Sequence, residues 1–170
     1  MLVSVSPSEA QEILEYWTRR FGVPGTMLEG LRFLARGKTV WAMADLGGVQ
    51  EILASFKVEA AGFPLLRKRG GQWKPTTAAL LFFEGAIVTN VVELSAGRLD
   101  TFLRGQVLPG PFPGDRGYVA VRYEGTVLGC ALHGEAGLRS QLPRAWVDAL
   151  LSGRPERGED EAWKSGPRAT

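Results

Sequence analysis

The chain has 170 residues, 45% of them hydrophobic and 22% charged, with a mean hydropathy near zero; that is one ordinary domain or two small ones, with enough apolar residues for a real core. A single cysteine and a single histidine exclude an internal disulfide framework and a Cys/His-rich metal knuckle, and they point to a reducing compartment. The net charge of +2, from 20 basic and 18 acidic residues, does not by itself single out nucleic acid as a partner.

The first predicted element is a helix. Ser6-Pro7-Ser8-Glu9 supplies a cap residue, a proline at the first helical position and a glutamate three residues after the cap. Ala10, Ile13, Leu14, Trp17 and Phe21 then recur on one face, and Gly22 and Pro24 end the run. The stretch LRFLARGKTVWAMA, with Arg36-Gly37-Lys38 at its middle, predicts a β-hairpin. Val49, Ile52, Leu53 and Phe56 follow at helical spacing, so residues 1–60 are expected to form a small α/β unit.

Residues 61–151 have a different texture. Short β-type runs (FPLLR, IVTNVVEL, GYVAVRY, TVLGCAL) are punctuated by Gly and Pro, and Tyr123-Glu124-Gly125-Thr126 predicts a tight hairpin turn. Ser95 is placed to cap a short helix bearing Leu99, Phe102 and Leu103, with Leu94 and Leu99 at hydrophobic-staple positions. PGPFPGDRG reads as a loop with no core of its own. Strands, one helix and glycine-rich turns together predict a small, mostly antiparallel barrel, with a last helix near 144–151. The fold class expected is therefore α+β. Residues 152–170 have one large apolar residue, Trp163, and read as a disordered tail.

The charge is unevenly spread. Residues 1–60 hold six basic and seven acidic side chains, residues 61–146 ten and six, and residues 147–170 four and five. The middle block alone is +4, and its cations are mostly arginine, which suits bidentate phosphate contacts. Arg67, Lys68, Arg69 and Lys74 fall within eight residues, with Trp73 among them: cations for phosphates and a flat ring for a base. Pro75 holds Lys74 extended, and Thr76 suits a helix cap. The same residues would also suit an exposed basic turn whose tryptophan packs inward. Arg104, Arg122 and Arg139 extend the candidate RNA-binding set of Arg67, Lys68, Arg69, Trp73, Lys74 and Thr76.

No catalytic constellation stands out. The sequence has no GxGxxG after a strand, no P-loop and no HExxH. His133 ends an apolar run at a turn, and Cys130 sits in LGCAL without a basic neighbour in sequence to favour its thiolate. No cofactor and no metal ion are expected. No apolar run approaches the roughly 20 residues needed to cross a bilayer, and the N-terminus lacks signal-peptide features, so a cytoplasmic protein is expected.

Residues 62–146 resemble the C-terminal PUA-like region of RsmF-type RNA cytosine-5 methyltransferases of the Sun family, and related PUA-type proteins. The matching pieces, in order, are GFPLLR at Gly62, Lys74-Pro75-Thr76 with Ala79-Leu80, Phe102-Leu103-Arg104-Gly105, Gly117-Tyr118-Val119, Val121-Arg122-Tyr123-Glu124-Gly125, Leu128-Gly129-Cys130 and Leu138-Arg139-Ser140-Gln141-Leu142-Pro143. Residues 16–45 are more loosely similar to the domain that precedes this module in such proteins. The resemblance implies a PUA-type pseudobarrel behind a pre-PUA-like unit, binding structured RNA (rRNA or tRNA) in ribosome biogenesis or RNA modification. The family's S-adenosylmethionine loop and motif cysteines are absent from this sequence, so no methyltransferase activity is expected. The alternative expectation is an adaptor that docks onto an RNA-modifying enzyme lacking its own PUA module.

Overall fold

The computed structural model describes residues 1–152. After the short strand β1 (Val3–Ser4), helix α1 (Pro7–Phe21) starts at the predicted cap: Ser6 Oγ accepts the Glu9 N–H at 3.2 Å, and Gly22 closes the helix by donating to the Thr18 carbonyl at 3.0 Å. The predicted hairpin forms as β2 (Leu31–Arg36) and β3 (Thr39–Ala44), and the second predicted helix as α2 (Val49–Ser55). Two further strands follow, β4 (Phe63–Arg69) and β5 (Gln72–Pro75), then α3 (Thr77–Phe82). Strands β1 to β5 form one antiparallel sheet in chain order. Strands on both sides of residue 60 thus pair within a single sheet.

The second sheet contains β6 (Val91–Leu94), β7 (Gly117–Tyr123), β8 (Thr126–Gly134) and β9 (Gly137–Ser140), in that order. Helix α4 (Ala96–Leu103) connects β6 to the loop before β7, and α5 (Arg144–Ser152) follows β9. The β6–β7 pair is parallel and the other two pairs are antiparallel. Parallel strands need a long crossover, which α4 and the proline-rich loop provide. The β7–β8 turn is the predicted one: Glu124 (φ 50°) and Gly125 (φ 78°) are both left-handed, the signature of a type I′ hairpin turn. Ser152 is the last residue of α5, so the remainder of the expected tail, residues 153–170, lies outside the described residues.

Two cores share the second sheet. The first holds Ile13, Trp17 and Phe21 of α1, Leu65 and Leu66 of β4, Leu80 and Phe83, and Ala120, Val127 and Cys130. Its aromatic centre packs closely, with Trp17 and Phe83 ring centroids 4.9 Å apart. The second core holds Val92, Leu94, Leu99, Phe102, Leu108, Val119, Val121, Ala131 and Leu138. Val119 and Val121 therefore face one core while Ala120 between them faces the other, as the two-residue period of a strand requires. A strand buried on both faces reads as a continuous apolar run, and that is how GYVAVRY and TVLGCAL read. The proline-rich loop does contribute to a core: Phe112 packs against the second one and meets His133 edge-on, centroids 6.1 Å apart.

Asn90 joins the two halves. Its Nδ2 donates to the Arg20 carbonyl at 2.7 Å, and its Oδ1 accepts the Asp115 N–H at 2.7 Å. The Arg20 guanidinium donates in turn to the Tyr118 and Asp115 carbonyls at 2.9 and 3.0 Å. Thr76 acts locally: its Oγ1 donates to the Pro64 carbonyl and accepts the Ala79 N–H at 3.1 Å, capping α3 against β4. Thr76→Val removes both bonds at nearly constant volume and is expected to lower stability by about 1–2 kcal/mol, read as a reduced urea midpoint with unchanged slope.

Candidate nucleic-acid interface

The basic segment is a hairpin, and its register decides which side chains can act together. Arg67 lies directly opposite Lys74, and Lys68 directly opposite Trp73. Neighbouring pairs project to opposite faces of a two-stranded ribbon. Arg67 and Lys74 therefore share one face, and Lys68 and Trp73 share the other. The cations and the aromatic ring, contiguous in sequence, do not form one patch.

On the first face, Arg67, Lys74 and Thr76 line a cleft of about 290 Å3 with Pro64, Pro75, Thr77, Ala78, Gln141 and Pro143. Lys74 is half-buried there; its Nζ donates to Gln141 Oε1 at 3.1 Å and sits 5.9 Å from the Tyr118 ring centroid. Burial holds the Lys74 ammonium below the ordinary lysine range, and the charges of Arg69 and Arg67 reinforce this. Gln141 is positioned through its backbone, whose N–H donates to the Cys130 carbonyl at 2.9 Å. No carboxylate is among the residues lining the cleft. Among the described residues no ion pair engages Arg67, Arg69 or Lys74.

The second face is charge-paired. Lys68 Nζ lies 3.2 Å from Glu9 Oε1 and 4.5 Å from the Trp73 ring centroid, so it covers part of the tryptophan and is itself neutralised. Trp73 lines two adjoining hollows against α1, both of which also include Tyr16, Arg20 and Gly71. Glu12, Glu15 and Asp115 contribute to one of these hollows, giving it mixed charge.

The remaining candidates lie elsewhere. Arg104 is exposed at the end of α4, where its Nε donates to Asp100 at 2.7 Å. Arg139 is exposed on the edge strand β9. Arg122 donates through one terminal nitrogen to the carbonyls of Glu84 and Ile87, both at 2.9 Å, and its buried Nε has no hydrogen-bond partner. That guanidinium is occupied by the backbone, so Arg122 braces the turn after α3 rather than offering a charge to solvent. Gln141 and Tyr118, which sequence reasoning does not select, are the neighbours that fix Lys74. They reach it only because the two sheets come together there, across more than 40 residues of chain.

Burial pushes the Cys130 thiol up to about 12, so the thiolate is strongly disfavoured. Among the described residues no group of three or more His, Cys, Asp or Glu side chains could hold a metal ion. No helix among them is long and apolar enough to cross a membrane.

The chain is α+β, and one of its two sheets is curled into half a barrel, an arrangement consistent with a PUA-type pseudobarrel. Residues 89–148, running from β6 into α5, match the family model described as the methyltransferase RsmF PUA domain. Among solved structures, the chain is similar to a hypothetical protein from the hyperthermophilic archaeon Pyrococcus horikoshii OT3, with a TM-score of 0.51, 16% identity, and coverage of 81% of this chain and 84% of that one. At that identity the likeness is one of fold. No curated protein matches the sequence. The family match supports an RNA-binding role in general terms.

Proposed function

We propose that this protein binds structured RNA, rRNA or tRNA, through the Arg67–Lys74 face of the β4–β5 hairpin, and that it serves ribosome biogenesis or RNA modification in the cytoplasm without catalysis of its own. The observation that carries this reading is the pairing of Arg67 with Lys74 over a cleft whose lining includes no carboxylate. A half-buried ammonium with only an amide as its polar partner is incompletely compensated, and a phosphate oxygen would supply the missing charge. Arg69 lies on the same ribbon face, and Arg139 and Arg104 add exposed cations elsewhere on the surface. Lys68 and Trp73 would contribute from the opposite face only if RNA wraps the hairpin tip. Thr76 would act by fixing the cleft rather than by contact.

The test is the salt dependence of affinity, measured by fluorescence anisotropy with a tRNA transcript. Four to six phosphate contacts give log K against log salt a slope of roughly −3 to −5. Replacing Arg67, Arg69 and Lys74 together by alanine should flatten that slope by roughly 2 to 3 and weaken binding to all RNAs alike. A slope near zero for the wild type, or no change in the triple variant, overturns the reading.

A second reading, an adaptor for an RNA-modifying enzyme, draws on a different surface. Leu46, Ile52 and Phe56, at and beside α2, are 62%, 51% and 67% exposed, and Ile52 and Phe56 are four residues apart. Exposed large apolar side chains at such spacing suit a protein partner better than a polyanion.

A further inference from the structure

The cleft beside Lys74 has features that phosphate binding does not need. Three prolines, Pro64, Pro75 and Pro143, with Ala78, give it rigid apolar walls, whereas a phosphate site is normally open and polar. Its volume of about 290 Å3 is at the small end of ligand pockets, enough for one unstacked base and too little for the end of a duplex. Its polar groups are also of one kind. Gln141 Oε1 is engaged by the Lys74 ammonium, which leaves the amide Nε2 as the group Gln141 can offer a ligand. Among the described residues that nitrogen has no hydrogen-bond partner. Lys74 has three N–H donors, one of them used on Gln141. Two donor groups, one charged and one neutral, therefore sit side by side, with Arg67 on the same face of the ribbon.

Building on the RNA-binding reading, we propose that this cleft seats a single unstacked nucleobase and selects one that presents two adjacent hydrogen-bond acceptors: guanine through O6 and N7, or cytosine through O2 and N3. Adenine places an amino donor next to each ring acceptor on its polar edges, and uracil places an N–H between its two carbonyls. Either base would set a donor against a donor and leave a buried polar group unpaired. Arg67 then takes the phosphate of the seated nucleotide. The hairpin supplies the attraction, and the junction of β9 with α5 supplies the discrimination, through Gln141.

The experiment uses the full chain and four single-stranded RNA pentamers, UUXUU with X = G, C, A or U, titrated by anisotropy at two salt concentrations. The G and C pentamers should bind about 5-fold or more tighter than the A and U pentamers, the usual effect of one good bidentate base contact. The side-chain amide resonances of Gln141 should shift with the G and C pentamers only. In Gln141→Leu and in Gln141→Glu the ratio of G or C affinity to U affinity should fall to near one. The two variants remove the donor with different side-chain chemistry, so a folding defect in one leaves the other informative. Equal affinity for all four pentamers, or a preference for A or U, overturns the base pocket while leaving the salt-dependent RNA reading intact. A ratio unchanged in both Gln141 variants likewise overturns it. Failure to bind the pentamers and the tRNA transcript alike removes both.

Discussion

Gly137→Ala is expected to lower the stability of this protein by about 3–5 kcal/mol, a large loss for the addition of one methyl group. Gly137 opens β9 at φ 119°, a conformation that side chains rarely adopt. A Cβ there would collide with the Leu108 carbonyl oxygen and lie 2.9 Å from the carbonyl carbon. Leu108 cannot retreat, because it exchanges two backbone hydrogen bonds with Leu138, both of 2.9 Å, in the bridge that ties the proline-rich loop to the edge of the second sheet. The obstacle is backbone, so no rotamer change relieves it. Gly134, the cross-strand partner of Gly137, has open space where a Cβ would sit, and Gly134→Ala should cost less than about 1 kcal/mol. Urea denaturation of the two variants separates a specific backbone collision from a general intolerance of alanine in that ladder.

Asn90→Leu is the second large effect, a loss of about 3 kcal/mol. The substitution leaves the Arg20 carbonyl and the Asp115 N–H without the partners that Asn90 supplies at 2.7 Å each. It also forces a branched side chain into a left-handed conformation, φ 50°, that asparagine tolerates. Asn90→Gly keeps the backbone at ease and loses only the hydrogen bonds, so its smaller loss in thermal unfolding measures their share. A Gly variant no more stable than the Leu variant would show that the backbone contributes nothing.

What is legible in the sequence follows the range of the interactions. The cap of α1 at Ser6, the apolar stripe through Ile13, Trp17 and Phe21, the hairpin about Gly37 and the Glu124-Gly125 turn are all set by neighbours a few residues apart, and each forms as expected. The PUA-type fold is legible through motif order rather than through physics. The parallel β6–β7 pairing is not legible, because nothing local distinguishes a parallel ladder from an antiparallel one. Phe112 reads as part of a coreless loop because its partners, Arg98 and His133, lie on either side of that loop in sequence. At the candidate site, the sequence offers Arg122 as one more cation of the basic block. The register shift between Val121 and Arg122 and the carbonyls of Glu84 and Ile87 turn that side chain to a structural task. Gln141 carries no charge to single it out in the sequence; its place beside Lys74 depends on contact between two separate sheets, from residues 67 apart in the chain.

The two-faced hairpin gives the molecule an orientation in an electric field. Lys68 is cancelled by Glu9 on one side of the ribbon, whereas Arg67 and Lys74 stand without acidic partners on the other, so the charge of the segment acts as a directed dipole and not as a diffuse cloud. On the proposed RNA-binding reading, a polyanion nearing this segment would be drawn toward the Arg67–Lys74 side. The opposite side, with its paired charges against α1, exerts no comparable pull. On that reading, Glu9 would set the side of the hairpin from which RNA approaches by silencing Lys68 alone.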